Sequence, residues 1–574
     1  MSDNYNQTHW QKYRTGYYLL LILLLTFLVY STSIFNGYLI WDDDRNVYQN
    51  PAITSLNFQH IKQYFSTYYI GMYQHLTTLS YALNFKITGM DPAGFHAGNL
   101  CFHLLNTFLV FFFIRGISNK ATVALLTALF FGIHPMFVES VAWVSERKDV
   151  LYSFFFLLSL IFYVEYVRKK NGLLLLFLSF LMYVSSVLSK STAILLPIIL
   201  FLTDWFLKRK FNWKQLSEKI PFLIVSLIIA IVAFNSQYSA QFTDLSAYQY
   251  SFFDRPFLAT YSLVFYFLMF FMPFKLSIIH PYPDKTGSFL PIEYYLALIV
   301  LVILIIAIYR FIKSLQPEMR QLIIFGVVFF IIMLLLFIQI IPLPSFSITA
   351  ERYAYMPYIG FFFIFSMLIT NLFEKFELLI NRNKYILYLV ISIFVVFFSV
   401  TTYSRNKVWK SNISIFSDAI QKYPQAAMPY NNRGLAYSED GYIERAISDF
   451  TRAIELMPNS ATYHYNLGNA YLGEQNYPLA IKSYTTTITI NPGHAEAAYI
   501  NRGIAYQKSG FYIASFWDLT AAINLKGQFT SIAYFNRGAA RLILKDNKGA
   551  CSDWQTSLNM GYSEAQQQLV QHCR

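Results

Sequence analysis

The chain has 574 residues, of which 56% are apolar and only 13% are charged. This composition excludes an ordinary soluble enzyme, because many stretches supply the roughly 20 apolar residues that a helix needs to cross a hydrocarbon core. The net charge of +13 is not concentrated on one basic segment, so we expect no nucleic-acid partner.

Before residue 403 the chain alternates between apolar stretches and short polar connections. The apolar stretches are 17–36, 98–114, 121–138, 149–167, 172–189, 191–206, 221–236, 256–274, 291–309, 321–341, 355–373 and 385–402. Basic residues favour the cytoplasmic side of a membrane. The basic connections that assign this side are Lys12/Arg14, Arg115/Lys120, Arg168–Lys170, Lys208–Lys210 with Lys214/Lys219, Arg310/Lys313/Arg320 and Lys375/Arg382/Lys384.

These assignments require an even number of crossings between residues 220 and 310, where three apolar stretches occur. The stretch 256–274 is flanked by Pro256 and Pro273, so we predict that it is re-entrant or interfacial. About eleven spans then place the N-terminus inside and the tail outside the cytoplasm. The first span is expected to be uncleaved. Twelve crossings with a cytosolic tail are the alternative.

Three adjacent acids, Asp42, Asp43 and Asp44, follow the first span in a long outer loop at 37–97. Neighbouring carboxylates repel, which raises the pKa of one of them unless a cation is close. One protonated and one ionised acid would suit a general base with an orienting partner. A solvated turn is the alternative interpretation.

The stretch 98–114 and the two residues before it carry His96, Asn99, His103 and Asn106 on one helical face. Polar side chains inside a membrane are costly unless they face protein or water. We therefore predict that this face points inward, and interhelical hydrogen bonding explains it better than direct catalysis.

Charged residues are densest just before the span at 149–167. Arg147 and Lys148 lie on the predicted outer side, against the usual trend, as do Lys190 and Arg352. A bound phosphate would explain these cations, and local pairing with acids is the alternative. The neighbouring polar residues are His134, Glu139, Glu146, Asp149 and Glu351.

No metal-ligand spacing, phosphate-binding glycine loop or nucleophile elbow occurs in the sequence. A cytosolic enzyme that uses nucleotide sugars is therefore unsupported. No cofactor is expected with certainty, and a divalent metal stays open.

The tail repeats an Asn-X-Gly motif, where X is Arg or Leu, beginning at Asn432, Asn466, Asn501 and Asn536. An Ala follows each Gly by two residues, and the spacing of 34 to 35 residues is typical of tetratricopeptide repeats. Such arrays bind peptides or partner proteins in a concave groove. We expect a half repeat at 409–424, repeats at about 428–461, 462–496, 497–531 and 532–560, and a cap. Cys551 and Cys573 can pair if the tail lies outside the cytosol.

Several motifs in a fixed order resemble the transmembrane-and-tetratricopeptide O-mannosyltransferases and their bacterial relatives, which are C-type membrane glycosyltransferases. They are Gly37–Asp43, Asn50-Pro51, Leu76–Ser80, His134-Pro135 with Glu139, Ala142-Trp143 and Glu146–Asp149, and Glu351–Pro357. The resemblance covers nearly the whole chain. It implies an all-α fold, with a polytopic GT-C-like transmembrane helix bundle at 1–402 and a repeat α-solenoid at 403–574.

The resemblance also implies sugar transfer from a polyprenyl-phosphate donor on the outer side of a bacterial inner membrane. Asp42 and Asp43 match the acidic pair of the family, and Asp44 is extra. Where relatives commonly have Tyr-Arg-Pro-Leu, this chain has Tyr73-Gln74-His75-Leu76, so phosphate binding there is absent or shifted to His75.

The leading hypothesis is a glycosyltransferase that moves mannose or another hexose to a hydroxyl acceptor, expected to be a protein or peptide held by the repeats. Asp42 or Asp43 would act as base, and Arg147, Lys148, Lys190 and Arg352 would bind the donor phosphate. A membrane-anchored scaffold for envelope proteins is the alternative. Inward-facing polar residues in about eleven spans exceed what an anchor needs. A transporter is disfavoured, because no inverted repeat or pair of broken helices occurs.

Overall fold

The computed structural model describes residues 2–66, 73–169, 172–239, 249–340, 347–379 and 384–573. Over these ranges the chain is helical, and β pairing is limited to two isolated bridges, Pro281–Ser347 and Thr286–Phe289. The predicted all-α fold class is therefore confirmed. The chain forms two compact units, Met1–Ile415 and Phe416–Arg574.

The first unit contains long helices joined by short turns. Its α-helices are α1 (Ser2–Tyr30), α2 (Phe58–Ser66), α3 (His75–Thr88), α4 (Pro92–Ser118), α5 (Ala121–Ile133), α6 (Val138–Ala142), α7 (Arg147–Lys169), α8 (Leu173–Ser189), α9 (Leu196–Phe206), α10 (Trp213–Ser217), α11 (Ile220–Ser239), α12 (Arg255–Phe271), α13 (Ile292–Lys313), α14 (Pro317–Leu334), α15 (Tyr358–Leu379) and α16 (Lys384–Val408). Single turns at Asp44–Tyr48, Val144–Glu146 and Glu351–Ala354 carry or adjoin predicted site residues.

Helix length and composition agree with a multi-pass membrane protein. Within the described ranges, seven segments are long and apolar enough to cross a membrane: Tyr13–Phe35, Pro92–Ser118, Val144–Lys169, Trp213–Ser236, Ile292–Lys313, Pro317–Leu334 and Tyr385–Val408. A pair bent by 55°, Ala121–Ile133 with Pro135–Ala142, adds an eighth. Four shorter apolar helices correspond to the remaining stretches. One of them is α12, whose re-entrant position stays a prediction, as does the count of eleven crossings.

Helix α4 is the central polar helix of this unit. Pro92 fits its first turn, and Asp91 caps it by accepting a hydrogen bond from the Ala93 N–H. The predicted polar face points inward, where Asn99 donates to the Trp143 carbonyl at 2.8 Å and Asn106 to the Val150 carbonyl at 2.8 Å. These bonds fix α4 against the turn before α7 and the first turn of α7.

Helices α14 and α15 touch through two glycines. A Cβ atom at Gly326 would lie 2.6 Å from the carbonyl oxygen of Gly360, so the two backbones are in direct contact. Small residues permit this close approach, which is a common source of packing energy between membrane helices.

The repeats form pairs of helices. The helix α17 (Asn412–Lys422) begins in the first unit and ends in the second. The second unit continues with α18 (Ala427–Glu439), α19 (Ile443–Leu456), α20 (Ala461–Gly473), α21 (Tyr477–Ile490), α22 (Glu496–Lys508), α23 (Tyr512–Leu525), α24 (Thr530–Ile543), α25 (Asn547–Asn559) and α26 (Ala565–His572). The motif glycines let the paired helices approach, because a Cβ at Gly434 would lie 2.8 Å from the Phe450 ring.

A buried ion pair recurs across the helix pairs. Each motif Arg binds, through two nitrogens, an Asp sixteen residues later: Arg433–Asp449, Arg502–Asp518 and Arg537–Asp553. In the remaining repeat both partners are replaced together, by Leu467 and Ser483. A disulfide joins Cys551 in α25 to Cys573, the residue after α26, with a Cα–Cα distance of 5.7 Å.

Candidate functional site

The loop after the first span places its adjacent acids in different surroundings. Asp42 has a φ of 69°, in the left-handed region that Asp tolerates better than most residues. Asp43 is buried, whereas Asp42 and Asp44 are partly exposed. The reversal of the backbone at Asp42 therefore separates a buried carboxylate from a more accessible one.

Asp43 accepts three hydrogen bonds from protein groups. One carboxylate oxygen accepts from the Leu39 N–H at 2.8 Å, and the other accepts from the N–H of Ser145 at 2.9 Å and its hydroxyl at 2.5 Å. Burial raises the pKa of Asp43 to about 7, although these three donors oppose the rise. Asp43 thus ties the outer loop to the turn that precedes α7.

Asp42 faces charged groups instead. Loss of solvent raises the pKa of its carboxyl group, and the ammonium of Lys148 opposes that rise. Glu146 adds to the rise in the pKa, and Arg352 opposes it, each with a smaller effect. Asp42 is therefore the member of the acidic pair whose charge interacts with the predicted cations Lys148 and Arg352.

Three cations surround one buried carboxylate, Glu146. Lys148 Nζ lies 3.1 Å from Glu146 Oε1, Arg352 Nε lies 3.5 Å from the same oxygen, and Lys190 Nζ lies 3.9 Å from Oε2. Local pairing with Glu146, one of the two explanations for the outer cations, thus occurs for Lys148. We call Lys148, Lys190 and Arg352 the cation cluster.

Two further acids hold the outer members of the cation cluster. Lys190 forms an ion pair with Asp149, and Arg352 forms one with Glu139. The second oxygen of Glu139 accepts a hydrogen bond from the Arg352 N–H at 2.8 Å. Glu139 and Asp149 are buried and fix the positions of these cations.

Trp143 connects the cation cluster to the loop of Asp42. Lys148 Nζ and Arg352 Cζ lie 6.0 and 5.7 Å from its ring, at cation–π distance. Its indole N–H donates to the Trp41 carbonyl at 3.1 Å. The residue next to Asp42 is thereby held against the ring that the cations contact.

Arg147 is not part of this cluster. Its nitrogens donate to Asn99 Oδ1 at 2.7 Å, Asn84 Oδ1 at 2.9 Å and the Phe95 carbonyl at 2.5 Å. Gly98 makes room for it, because a Cβ there would lie 2.6 Å from Nη2. Since its donors are directed to protein acceptors, we leave Arg147 out of the phosphate-binding set proposed below.

The histidine side chains predicted for the site are buried and contact other protein groups. His103 contacts the Tyr355 hydroxyl at 2.8 Å and the Gly132 carbonyl at 3.1 Å. His134 contacts the Phe270 carbonyl at 3.1 Å. His75 is buried with its ring centroid 3.7 Å from that of Tyr73, and burial lowers the pKa of His75 to about 4.

The remaining predicted acid, Glu351, lies in a second buried cluster. Its Oε1 is 3.7 Å from Arg405 Nη2 and 3.9 Å from His280 Nε2. Sequence reasoning did not find Arg405, His280 or Ser145, because their partners are distant in sequence and no motif marks them. Within the described ranges no group of three His, Cys, Asp or Glu is arranged to hold a metal ion.

The repeats match known families. A family described as TPR repeat matches residues 434–475, and one described as tetratricopeptide repeat matches residues 461–494.

A protein O-mannosyl-transferase of Caenorhabditis elegans is 23% identical over 452 residues, covering 74% of this chain and 61% of the relative. This chain is a relative of the protein O-mannosyl-transferases. The predicted resemblance is thereby confirmed.

Other relatives of the same name match shorter regions. A protein O-mannosyl-transferase of Drosophila melanogaster is 27% identical over 31% of this chain and 22% of its own length. One of Homo sapiens is 34% identical over 17% of this chain and 15% of its own length. The chain thus spans less than two thirds of these relatives. The crystal structure of MamA covers 27% of this chain and 89% of its own, at 21% identity and a TM-score of 0.25, which supports no further inference.

Proposed function

We propose that the chain is a membrane glycosyltransferase that moves mannose or another hexose from a polyprenyl-phosphate donor to a hydroxyl group, on a protein, at the extracytoplasmic side. The observation that carries the proposal is the electrostatic interaction of Asp42 with Lys148 and Arg352, two cations that contact the Trp143 ring to which the residue before Asp42 is bonded. A carboxylate base that interacts with clustered cations suits a reaction in which a hydroxyl group loses a proton and a phosphate group leaves.

The chemistry assigns a role to each part. The acceptor oxygen forms a bond to the anomeric carbon of the sugar while the bond from that carbon to the donor phosphate oxygen breaks. The acceptor proton passes to Asp42, acting as general base. The departing phosphate keeps the bonding electrons, and Lys148, Lys190 and Arg352 stabilise its increased charge.

The cations already have acidic partners, which holds them in place before the donor arrives. Preorganised charges cost no reorganisation during the reaction. Glu139, Glu146 and Asp149 are therefore proposed to be positioning residues for the cation cluster, and Asp43 to be a positioning residue for the loop of Asp42.

Two features support the extracytoplasmic side for the tail. The basic connections favour it through the count of crossings. The pairing of Cys551 with Cys573 also supports it, because disulfides persist in oxidising compartments and are rare in the cytosol. We propose that the repeats on this side bind the protein acceptor or a partner protein.

The test compares Asp42→Asn with Asp43→Asn in purified full-length protein, using a synthetic polyprenyl-phosphate mannose as donor. General-base catalysis is typically worth about 10²–10⁴ in rate. Asp42→Asn is therefore expected to lower kcat about a hundredfold or more without loss of folded protein. Asp43→Asn is expected to lower both kcat and thermal stability.

Glu293→Gln is the matched control, because it removes an exposed carboxylate at the first turn of α13. It is expected to keep wild-type turnover. Full transfer by Asp42→Asn would reject the assignment of the base. Absence of any turnover of the donor by the wild type, measured with several acceptor peptides, would reject the proposed reaction.

A further inference from the structure

The loop that carries the proposed base is hydrogen-bonded to the segment just before the repeats. The Gly37 N–H donates to the Lys410 carbonyl at 3.0 Å, and the Ile40 N–H donates to Asn412 Oδ1 at 2.8 Å. Asn412 Nδ2 donates in return to the Tyr38 carbonyl at 3.4 Å. Three bonds therefore join stretches that are about 370 residues apart in sequence.

The same segment contacts the surroundings of the cation cluster. Trp409 is buried with its ring centroid 6.0 Å from that of Trp143. Arg405 Cζ lies 5.9 Å from the Trp409 ring, and Arg405 Nη2 lies 3.7 Å from Glu351, the neighbour of Arg352. We call residues 405–412 the junction segment. It contacts both the loop of Asp42 and the elements that carry the cations.

Asn412 is not needed to cap its own helix. The start of α17 is capped by two serines, because the Ser411 N–H donates to Ser414 Oγ at 3.0 Å and the Ser414 N–H donates to Ser411 Oγ at 3.2 Å. Both polar atoms of the Asn412 side chain are directed to the loop instead. Ser411 is the N-cap and supplies the bond that the helix start needs, so the Asn412 side chain is free to hold the loop.

We propose that Asn412 is a positioning residue for Asp42, through which the junction segment sets the distance between the proposed base and the cation cluster. The inference rests on the proposed function. Asn412 fixes the backbone two residues before Asp42, and Trp143 fixes the next residue. The helix that leads into the repeats thus starts at the residue that holds the catalytic loop.

The loop contains a residue in the left-handed region, Asp42, and therefore needs contacts that hold its backbone in one conformation. Residues in sparsely populated backbone regions persist only where the surrounding structure determines them. Here the carboxylate of Asp43 holds Leu39, and the amide of Asn412 holds Ile40. Without the second contact, Asp42 keeps its carboxylate but loses its fixed distance from the cation cluster.

The experiment uses full-length Asn412→Ala, Asn412→Asp and Ser411→Ala with synthetic polyprenyl-phosphate mannose. A misplacement of about 1 Å can cost about 10² in rate, so Asn412→Ala is expected to lower kcat at least tenfold while KM for the donor stays unchanged. Asn412→Asp restores most of kcat, because a carboxylate still accepts from the Ile40 N–H. Ser411→Ala lowers thermal stability slightly and leaves kcat unchanged, since its bonds stay within the helix start.

Amide hydrogen exchange at residues 37–43 gives a readout that does not depend on activity. Exchange is expected to rise in Asn412→Ala and to stay low in Ser411→Ala. Unchanged exchange, wild-type kcat in Asn412→Ala, or an equal loss of kcat in Ser411→Ala would each overturn the positioning role. A wild type without activity, together with increased exchange in Asn412→Ala, would overturn the proposed function. The structural contact made by Asn412 would then still be established.

Discussion

At the scale of single residues, two neighbouring acids have different environments. Asp43 accepts three hydrogen bonds inside the protein, whereas Asp42 interacts electrostatically with Lys148. The left-handed backbone at Asp42 separates them. Substitutions in this pair therefore test different properties: the stability of the loop at Asp43 and the reaction at Asp42.

Asp43 predicts a specific dependence of stability on pH. Its pKa rises from 3.8 to about 7 on folding, because burial disfavours the charged form and the Asp42 carboxylate adds repulsion. Below pH of about 4 the group is protonated in both states. Between about 4 and 7 only the unfolded chain ionises, so the free energy of unfolding falls as pH rises, by at most about 4 kcal/mol.

The measurement is thermal unfolding of detergent-solubilised protein between pH 4 and 8. Asp43→Asn is expected to be less stable at low pH, because an amide cannot accept at both former oxygens. It should also lack the part of the decline that Asp43 contributes. A decline of the same size in Asp43→Asn would assign the effect to other carboxylates.

The sequence identified the charged residues of the candidate site but not how they divide between roles. Arg147 and Lys148 are adjacent, and nothing local distinguishes them. Tertiary packing directs Arg147 to Asn84 and Asn99, in space left by Gly98, and directs Lys148 to Glu146. Such a division depends on contacts between distant segments, which a single sequence does not reveal.

At the scale of elements, the helices of the repeats could be predicted because each unit carries the same short sequence motif at nearly constant spacing. Glycine spacing fixed the helix pairs, and the Arg–Asp ion pairs recur at a constant separation. The membrane helices were located equally well from apolar runs. The number that cross was not determined, because segments such as α12 are long enough for either a short span or a re-entrant helix.

The recurring ion pair gives a prediction for the repeats. Arg502 binds both oxygens of the partly buried Asp518 at 2.7 Å. Removal of either partner leaves the other charge without its partner, which costs more than removal of both. Arg502→Ala and Asp518→Ala are therefore expected to destabilise singly by about 1–3 kcal/mol, with the double variant less affected than the sum.

A double-mutant cycle on thermal and denaturant unfolding measures this coupling. The second repeat is the natural control, since it has Leu467 and Ser483 at the matching positions. Ser483→Ala removes only a hydrogen bond to the Leu479 carbonyl of the same helix, so it is expected to change stability by about 1 kcal/mol or less. Additive effects of Arg502→Ala and Asp518→Ala would show that the pair contributes no coupling.

At the scale of the whole molecule, the proposed sidedness rests on charge and redox chemistry rather than on packing. An extracytoplasmic tail predicts that Asn459→Cys, at an exposed turn between α19 and α20, reacts with a membrane-impermeant thiol reagent in intact spheroplasts. The background is Cys101→Ser with Cys551 and Cys573 retained, because the disulfide does not react. Labelling only after lysis would place the tail in the cytosol and reject the eleven-crossing topology.

The contact between Gly326 and Gly360 limits where a lipid can go. Two helices whose backbones touch leave no gap for a hydrocarbon chain, so α14 and α15 form a closed seam at that level. Helix α13, in contrast, packs against few protein groups, since only 6% of its most apolar stretch is buried. The isoprenoid tail of the proposed donor would therefore not pass between α14 and α15 at that level. If the proposed donor is the substrate, the two glycines exclude one route for its lipid tail.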